Sequence, residues 1–184
     1  MDLTHVNDGS VYAFSKLDTL QGTLTPLRTS YDVGFYHLDV EVMPEEEKLK
    51  GSSLIRFSVL EPVAIILFVL FSKIKNLKIF WHGRLLNFER EYNAVYVDFP
   101  GPLTKGSVEE IKVFYSGRPV DFDPNISMYA SFLWFEDDEG DPWLQAICQG
   151  YGASGWWPNK DHLSDEPDSA RISVTVPQAL DVVS

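Results

Sequence analysis

From Tyr36 onward the chain alternates in strict step: Tyr36, Leu38, Val40 and Val42 are apolar, while His37, Asp39 and Glu41 between them are polar. A period of two marks a strand with one face buried and one in solvent. Pro44-Glu45-Glu46-Glu47-Lys48 breaks the pattern, and Ile55, Phe57 and Val59 resume it, so the two runs predict a hairpin. Its acidic triplet reads as a solvated turn, because neighbouring side chains diverge. Beyond Pro62 comes the most apolar run of the chain, residues 63–71. It is far shorter than the roughly 20 residues of a membrane-spanning helix. Its β-branched and aromatic residues predict a buried strand.

Further strands follow at 77–81 and 85–88, joined by a turn at His82-Gly83-Arg84, and at 94–99, where Pro100-Gly101-Pro102 is expected to stop the strand. Ile111, Val113 and Tyr115 alternate again. Residues 117–130 read as a loop, in which Asn125-Ile126-Ser127 matches a glycosylation triplet too short to carry weight. Residues 132–135 and 143–148 flank an acidic tip, Glu136-Asp137-Asp138-Glu139-Gly140-Asp141, whose spacing matches no EF-hand loop. A last strand is expected at 172–176, ended by Pro177. Residues 1–30 have only weak periodicity and read as an irregular N-terminal extension. The sum is an all-β fold: an antiparallel sandwich or saddle of short strands in a single domain.

Composition narrows the function classes. With 184 residues the expectation is one domain large enough for a core without staples. Lys and Arg number 15 against 27 Asp and Glu, for a net charge of −12, and that field disfavours nucleic-acid binding. The single cysteine, Cys148, cannot form an internal disulfide and so says nothing about redox compartment. No basic stretch followed by an apolar core opens the chain, so no signal peptide is visible. That leaves the compartment open between the cytoplasm and export with the signal removed.

Chemistry concentrates in residues 148–169, CQGYGASGWWPNKDHLSDEPDS. None of the histidines, His5, His37, His82 and His162, sits in an H-E-x-x-H motif or at a spacing that presents two of them to one metal. Asp161, His162, Asp165, Glu166 and Asp168 could offer oxygens to a cation. Their setting among Ser and Pro favours turn capping. Cys148 has no visible base partner. Trp156 and Trp157 are read as consecutive strand residues, so one should face the core and the other outward, where it could serve as an aromatic platform.

Two stretches resemble a known family. Residues 20–37, LQGTLTPLRTSYDVGFYH, with Leu38-Asp39-Val40, resemble the opening of the N-terminal domain in the aminopeptidase N and leukotriene hydrolase family of zinc metallopeptidases, in its bacterial branch. Residues 148–158, CQGYGASGWWP, resemble the loop with which that domain reaches the catalytic domain, and the similarity runs on through residues 159–177. The resemblance implies a saddle-shaped β domain over residues 31–178, with 179–184 starting the linker to a catalytic domain absent from this chain. It places the zinc motif and all catalytic residues in that domain, with no cofactor or metal here.

The family has a Gln or Glu just after a cysteine that helps to hold the free α-amino group of a peptide substrate. The resemblance assigns that part to Gln149, with Gly150 a weaker candidate beside it. An amide oxygen can accept from an ammonium group. The family's Gln two residues earlier is Ile147 here, so specificity does not transfer. The expected partners are a peptide N-terminus and the catalytic domain of the same polypeptide, with no membrane span, and the chain alone should be inactive. Two other readings stay open: a free-standing β-sandwich binding module with a Trp156 or Trp157 platform, and a self-contained hydrolase using His162 and its acidic neighbours.

Overall fold

The computed structural model describes residues 15–120, 130–148 and 153–183. Two short helices lead, α1 (Lys16–Gly22) and α2 (Pro26–Thr29). Then come β1 (Tyr31–Met43), β2 (Lys48–Val59), β3 (Val63–Val69), β4 (Ile74–Trp81), β5 (Arg84–Leu85), β6 (Asn87–Glu91), β7 (Ala94–Leu103), β8 (Val108–Gly117), β9 (Ala130–Glu136), β10 (Pro142–Cys148) and β11 (Ser169–Thr175). The described residues form a six-stranded sheet in the order β11-β1-β2-β8-β4-β5, a three-stranded sheet β3-β7-β6, and the separate ribbon β10-β9. The all-β sandwich expected from the alternation is the observed architecture.

The periodicity translates directly into burial. In β1 the side chains of Tyr36, Leu38, Val40 and Val42 are buried, as the pattern demands. Upstream the parity changes, because the pairing with β2 shifts register between Val33 and Phe35, and Tyr31 and Val33 therefore also point inward. The main core joins inner faces of β1, β2, β4 and β8 to Ile66, Phe68, Val95 and Val97 of the three-stranded sheet. A second cluster, Leu38, Val40, Val42, Leu49 and Phe132, forms where β9 and β10 cover the other end of the large sheet, joined by Trp134, Leu144 and Trp156. Gly51 lets β1 and β2 approach: a Cβ there would stand 2.4 Å from the Asp39 carbonyl oxygen.

Turn chemistry follows the sequence signals. His82 and Gly83 both have positive φ, 48° and 77°, as the two-residue turn between β4 and β5 requires. Glu47 closes the β1–β2 turn in the left-handed region, after a 3-10 turn at Pro44–Glu46. The acidic triplet is solvated there, with Glu46 paired to Lys48 at 2.8 Å and Glu47 to Arg118.

Four expectations need correction. The N-terminal segment read as irregular holds α1 and α2, because Leu20 and Leu27 pack on Leu67, Val69 and Ala94 of the three-stranded sheet. Buried Arg28 fixes them, its Nη1 donating to Thr23 O at 2.8 Å and its Nη2 to Leu20 O at 2.7 Å. Pro100-Gly101-Pro102 does not stop β7. The pairing jumps from Ile65–Asp98 to Val63–Leu103, so the prolines sit in an irregularity that frees them from donating to the ladder. The last strand runs from Ser169 to Thr175 and lies parallel to β1, so the large sheet is mixed. Finally, Trp156 and Trp157 are not on a strand but follow a 3-10 turn at Ala153–Gly155.

Candidate functional site

The stretch richest in chemistry is held down at several points. Ser154 O accepts from Phe71 N at 2.8 Å, and Gly155 O accepts from Val120 N at 2.9 Å. Asn159 pairs with Val69 in both directions, at 2.8 and 3.2 Å. Residues 153–160 are thus stitched to the end of β3 and to the chain after β8.

The 3-10 turn decides the fate of the tryptophans. Both backbone N–H groups donate to Ala153 O, at 3.0 and 3.1 Å, and this curls the chain so that both indoles turn inward. Trp157 meets Tyr36 edge-on with ring centroids 4.8 Å apart, and packs against both clusters. Trp156 stands 6.2 Å from both Phe132 and Trp157, and its Nε1 donates to Cys148 Sγ at 3.1 Å. The indoles cross at 70° and both are half-buried, so they present no shared flat face to a ligand.

Beneath them sits a buried charge pair that the sequence pattern does not reveal. Lys160 is 6% exposed. Its Nζ donates to Asp165 Oδ2 and to Tyr31 O, the latter at 2.5 Å, and lies 4.6 Å from the Tyr31 ring centroid. Asp165 Oδ2 also accepts from Val33 N at 3.4 Å. The Lys160 backbone N–H donates to Tyr36 Oη at 3.1 Å, and Tyr31 Oη donates to Leu67 O at 2.6 Å. Burial pushes both tyrosine hydroxyls well above their ordinary range, so they stay protonated. Asp165 therefore neutralises a buried ammonium. The only sequence cue was a lysine between Asn159 and Asp161, two residues after an apolar Trp-Trp-Pro.

The remaining candidates are engaged locally. Asp161 accepts from Ser154 Oγ, and its backbone is left-handed at φ 45°. His162 Nδ1 accepts from Ser164 N at 3.0 Å, and Ser164 Oγ lies 2.8 Å from it. Asp137 Oδ1 accepts from Glu139 N at 3.0 Å and from Asp141 N at 2.8 Å, closing the acidic tip on itself. Among the described residues no three His, Cys, Asp or Glu side chains converge as a metal site. Asp165, bound to Lys160, is not a free ligand of the 161–168 cluster. The self-contained hydrolase reading thereby loses Asp165 as one of its acidic neighbours.

Cys148 ends β10. The residue as a whole is exposed, but its sulfur is contacted by the Trp156 indole. Burial raises its thiol pKa, opposed by the Trp156 hydrogen bond that favours the thiolate, and among the described residues no base touches it. Gln149 and Gly150, the residues assigned to substrate binding, lie outside the described residues, as do His5 and the triplet at Asn125.

No protein-family model matches the chain, and no curated protein does. Solved structures do. A two-domain M1 zinc metallopeptidase mutant bound to L-arginine is 25% identical with a TM-score of 0.65, covering 82% of this chain and 33% of its own. An M1 zinc metallopeptidase mutant from Deinococcus radiodurans bound to a Tyr-Ser-Ala substrate is 24% identical with a TM-score of 0.64, covering 80% and 33%. Native yeast LTA4 hydrolase, at 13% identity and a TM-score of 0.63, covers 88% and 27%, and shows the shared fold alone. The chain spans about a third of the length of the M1 structures it matches. Its likeness to a domain of the M1 zinc metallopeptidases, the family that residues 20–40 and 148–177 resemble, is consistent with their N-terminal domain.

Proposed function

We propose that this chain is the N-terminal domain of a zinc-dependent aminopeptidase, scaffolding the catalytic domain and lending one wall of the pocket that receives a peptide's free N-terminal amine. Residues 31–178 carry the strands of the domain, with α1 and α2 packed onto them, and residues 179–184 begin the connection to its partner. The observation that carries the reading is the fold likeness to the M1 structures over four fifths of the chain. One of those is bound to a tripeptide substrate and another to an amino acid. Zinc belongs to the catalytic domain in this reading, where it supplies Lewis-acid chemistry.

The part played by this chain is positional. Gln149 follows Cys148, whose sulfur is held by Trp156, and Trp156 in turn is seated in the second core cluster. The Gln149 amide oxygen accepts from the substrate ammonium and fixes the distance from the free N-terminus to the scissile bond. Only one residue is then released. Gly150 beside it leaves room for close approach of substrate or backbone.

The test is Gln149→Ala in the polypeptide that joins this domain to its zinc domain. Losing a hydrogen bond to a charged group removes about 1.5–3 kcal/mol, so kcat/KM on free-amino substrates should fall roughly 10- to 100-fold. The melting temperature should stay put, and slow turnover of an N-acetylated substrate should not change. Unchanged kinetics on aminoacyl substrates would remove Gln149 from the pocket.

A further inference from the structure

The six-stranded sheet turns one face to the core clusters, and its other face lines an open hollow of about 670 Å³ between β2, β4 and β8. The register makes a checkerboard there. Lys78 of β4 stands opposite Phe114 of β8, and Phe80 of β4 stands opposite Lys112 of β8. The two rings meet edge-on with centroids 5.8 Å apart, and Lys112 Nζ lies 5.2 Å from the Phe114 centroid. Leu54 of β2 flanks Lys112 on its other side. The chain carries a net charge of −12, yet both lysines are exposed and unneutralised. Glu110 is engaged by Arg56 and Glu41 by Lys50, and among the described residues no carboxylate is within ion-pair distance of Lys78 or Lys112.

We propose that this face receives an extended acidic segment of a partner protein, with carboxylates at alternate positions and an apolar side chain after them. Lys78 and Lys112 are diagonal neighbours on adjacent strands, about 7–8 Å apart. Residues i and i+2 of an extended chain are about 6.5–7 Å apart and point the same way, so two alternate carboxylates reach both lysines together. The next side chain on that side, i+4, comes over the hollow between Leu54, Phe80 and Val108, which an apolar group fills. The openness of the hollow favours a protein. Small-ligand sites bury about 70–90% of their ligand, whereas a protein segment brings its own cover. A second copy of this chain, or a nucleic-acid strand, would meet the −12 field over a long front. A short acidic segment feels chiefly the lysines beneath it, because screening at physiological salt acts over about 8 Å. The assignment is separate from the pocket given to Gln149 and requires nothing of a zinc domain.

Fluorescence polarisation of the peptide acetyl-Glu-Thr-Glu-Thr-Phe with a C-terminal dye tests this on the polypeptide that carries the chain. The acetyl cap protects the peptide from any aminopeptidase activity. Saturable binding is expected at low salt, weakened about tenfold or more by Lys78→Glu/Lys112→Glu and in the same direction by the milder Lys78→Gln/Lys112→Gln. Phe114→Ser should weaken it several-fold. Lys48→Glu/Lys105→Glu changes the net charge by the same amount at exposed positions off this hollow and should leave binding within about twofold. Equal losses in the two charge-reversed proteins would reduce the effect to net charge and overturn the site. So would the absence of saturable binding below about 1 mM, or tighter binding of an oligothymidylate than of the peptide. Self-association lost in Lys78→Glu/Lys112→Glu would give the face to a second copy and overturn the proposal too.

Discussion

Removing either member of the Lys160–Asp165 pair should be the most damaging small change available in the 153–168 segment. The two side chains are 7% and 2% exposed, so neither charge has water to fall back on. At an effective dielectric near 20, two unit charges about 4 Å apart attract by about 4 kcal/mol. Desolvation offsets most of that gain, so the pair adds little net stability, whereas a lone buried charge left behind costs about 3–5 kcal/mol. Asp165→Asn strands the ammonium against Tyr31 O and the Tyr31 ring. Lys160→Met strands the carboxylate, which keeps only a 3.4 Å contact from Val33 N.

The double variant Lys160→Met/Asp165→Leu removes both charges and should recover to within about 1–2 kcal/mol of wild type. Urea unfolding followed by Trp fluorescence reads all four proteins, since Trp157 rests on Tyr36, whose hydroxyl the same segment engages. The expected signature is a midpoint shift at constant slope, with a coupling energy above about 2 kcal/mol. Single variants that each cost under about 1 kcal/mol, or effects that simply add, would refute the reasoning.

Two further outcomes rest on single atoms. Gly51→Ala drives a methyl into the Asp39 carbonyl at 2.4 Å and should lower the melting temperature sharply, whereas Gly101→Ala, which meets open space, should leave it nearly unchanged; equal effects would deny the close approach of β1 and β2. Cys148 should be alkylated by iodoacetamide more slowly in the native chain than in urea near pH 8.5, because burial raises the folded thiol pKa above that of the free residue. The sign follows: the protonated thiol is the favoured folded form, its contribution holds below the unfolded pKa, and it is lost as pH rises through the folded one. A native rate faster than the unfolded one would contradict this.

The strands were legible because burial imposes a period of two on whichever face meets the core, and Tyr36 to Val42 or Ile111 to Tyr115 keep that period without help from elsewhere. The hairpin at His82-Gly83 was legible because only certain residues accept positive φ. The family likeness was legible because residues 148–177 combine an unusual Trp-Trp-Pro with a long polar run, and the fold of the M1 structures agrees with it. The candidate site was legible only as a stretch of chain.

What each residue does there depends on partners far away in sequence. Lys160 is buried because Tyr31 and Asp165 meet it, and no local pattern distinguishes it from a surface lysine. Both tryptophans turn inward because a 3-10 turn replaces the strand, a choice made by the anchors at Phe71 and Val69. β11 runs parallel to β1 because the chain crosses over before returning, and periodicity is blind to direction. The short α1 and α2 exist because the three-stranded sheet offers them a surface. Sequence alone determined which residues seek the interior and where the chain turns, since those preferences are carried by each side chain and its neighbours. Tertiary structure decided which polar groups could be buried with a partner, and therefore which residues of the 148–168 stretch hold the fold and which remain for chemistry.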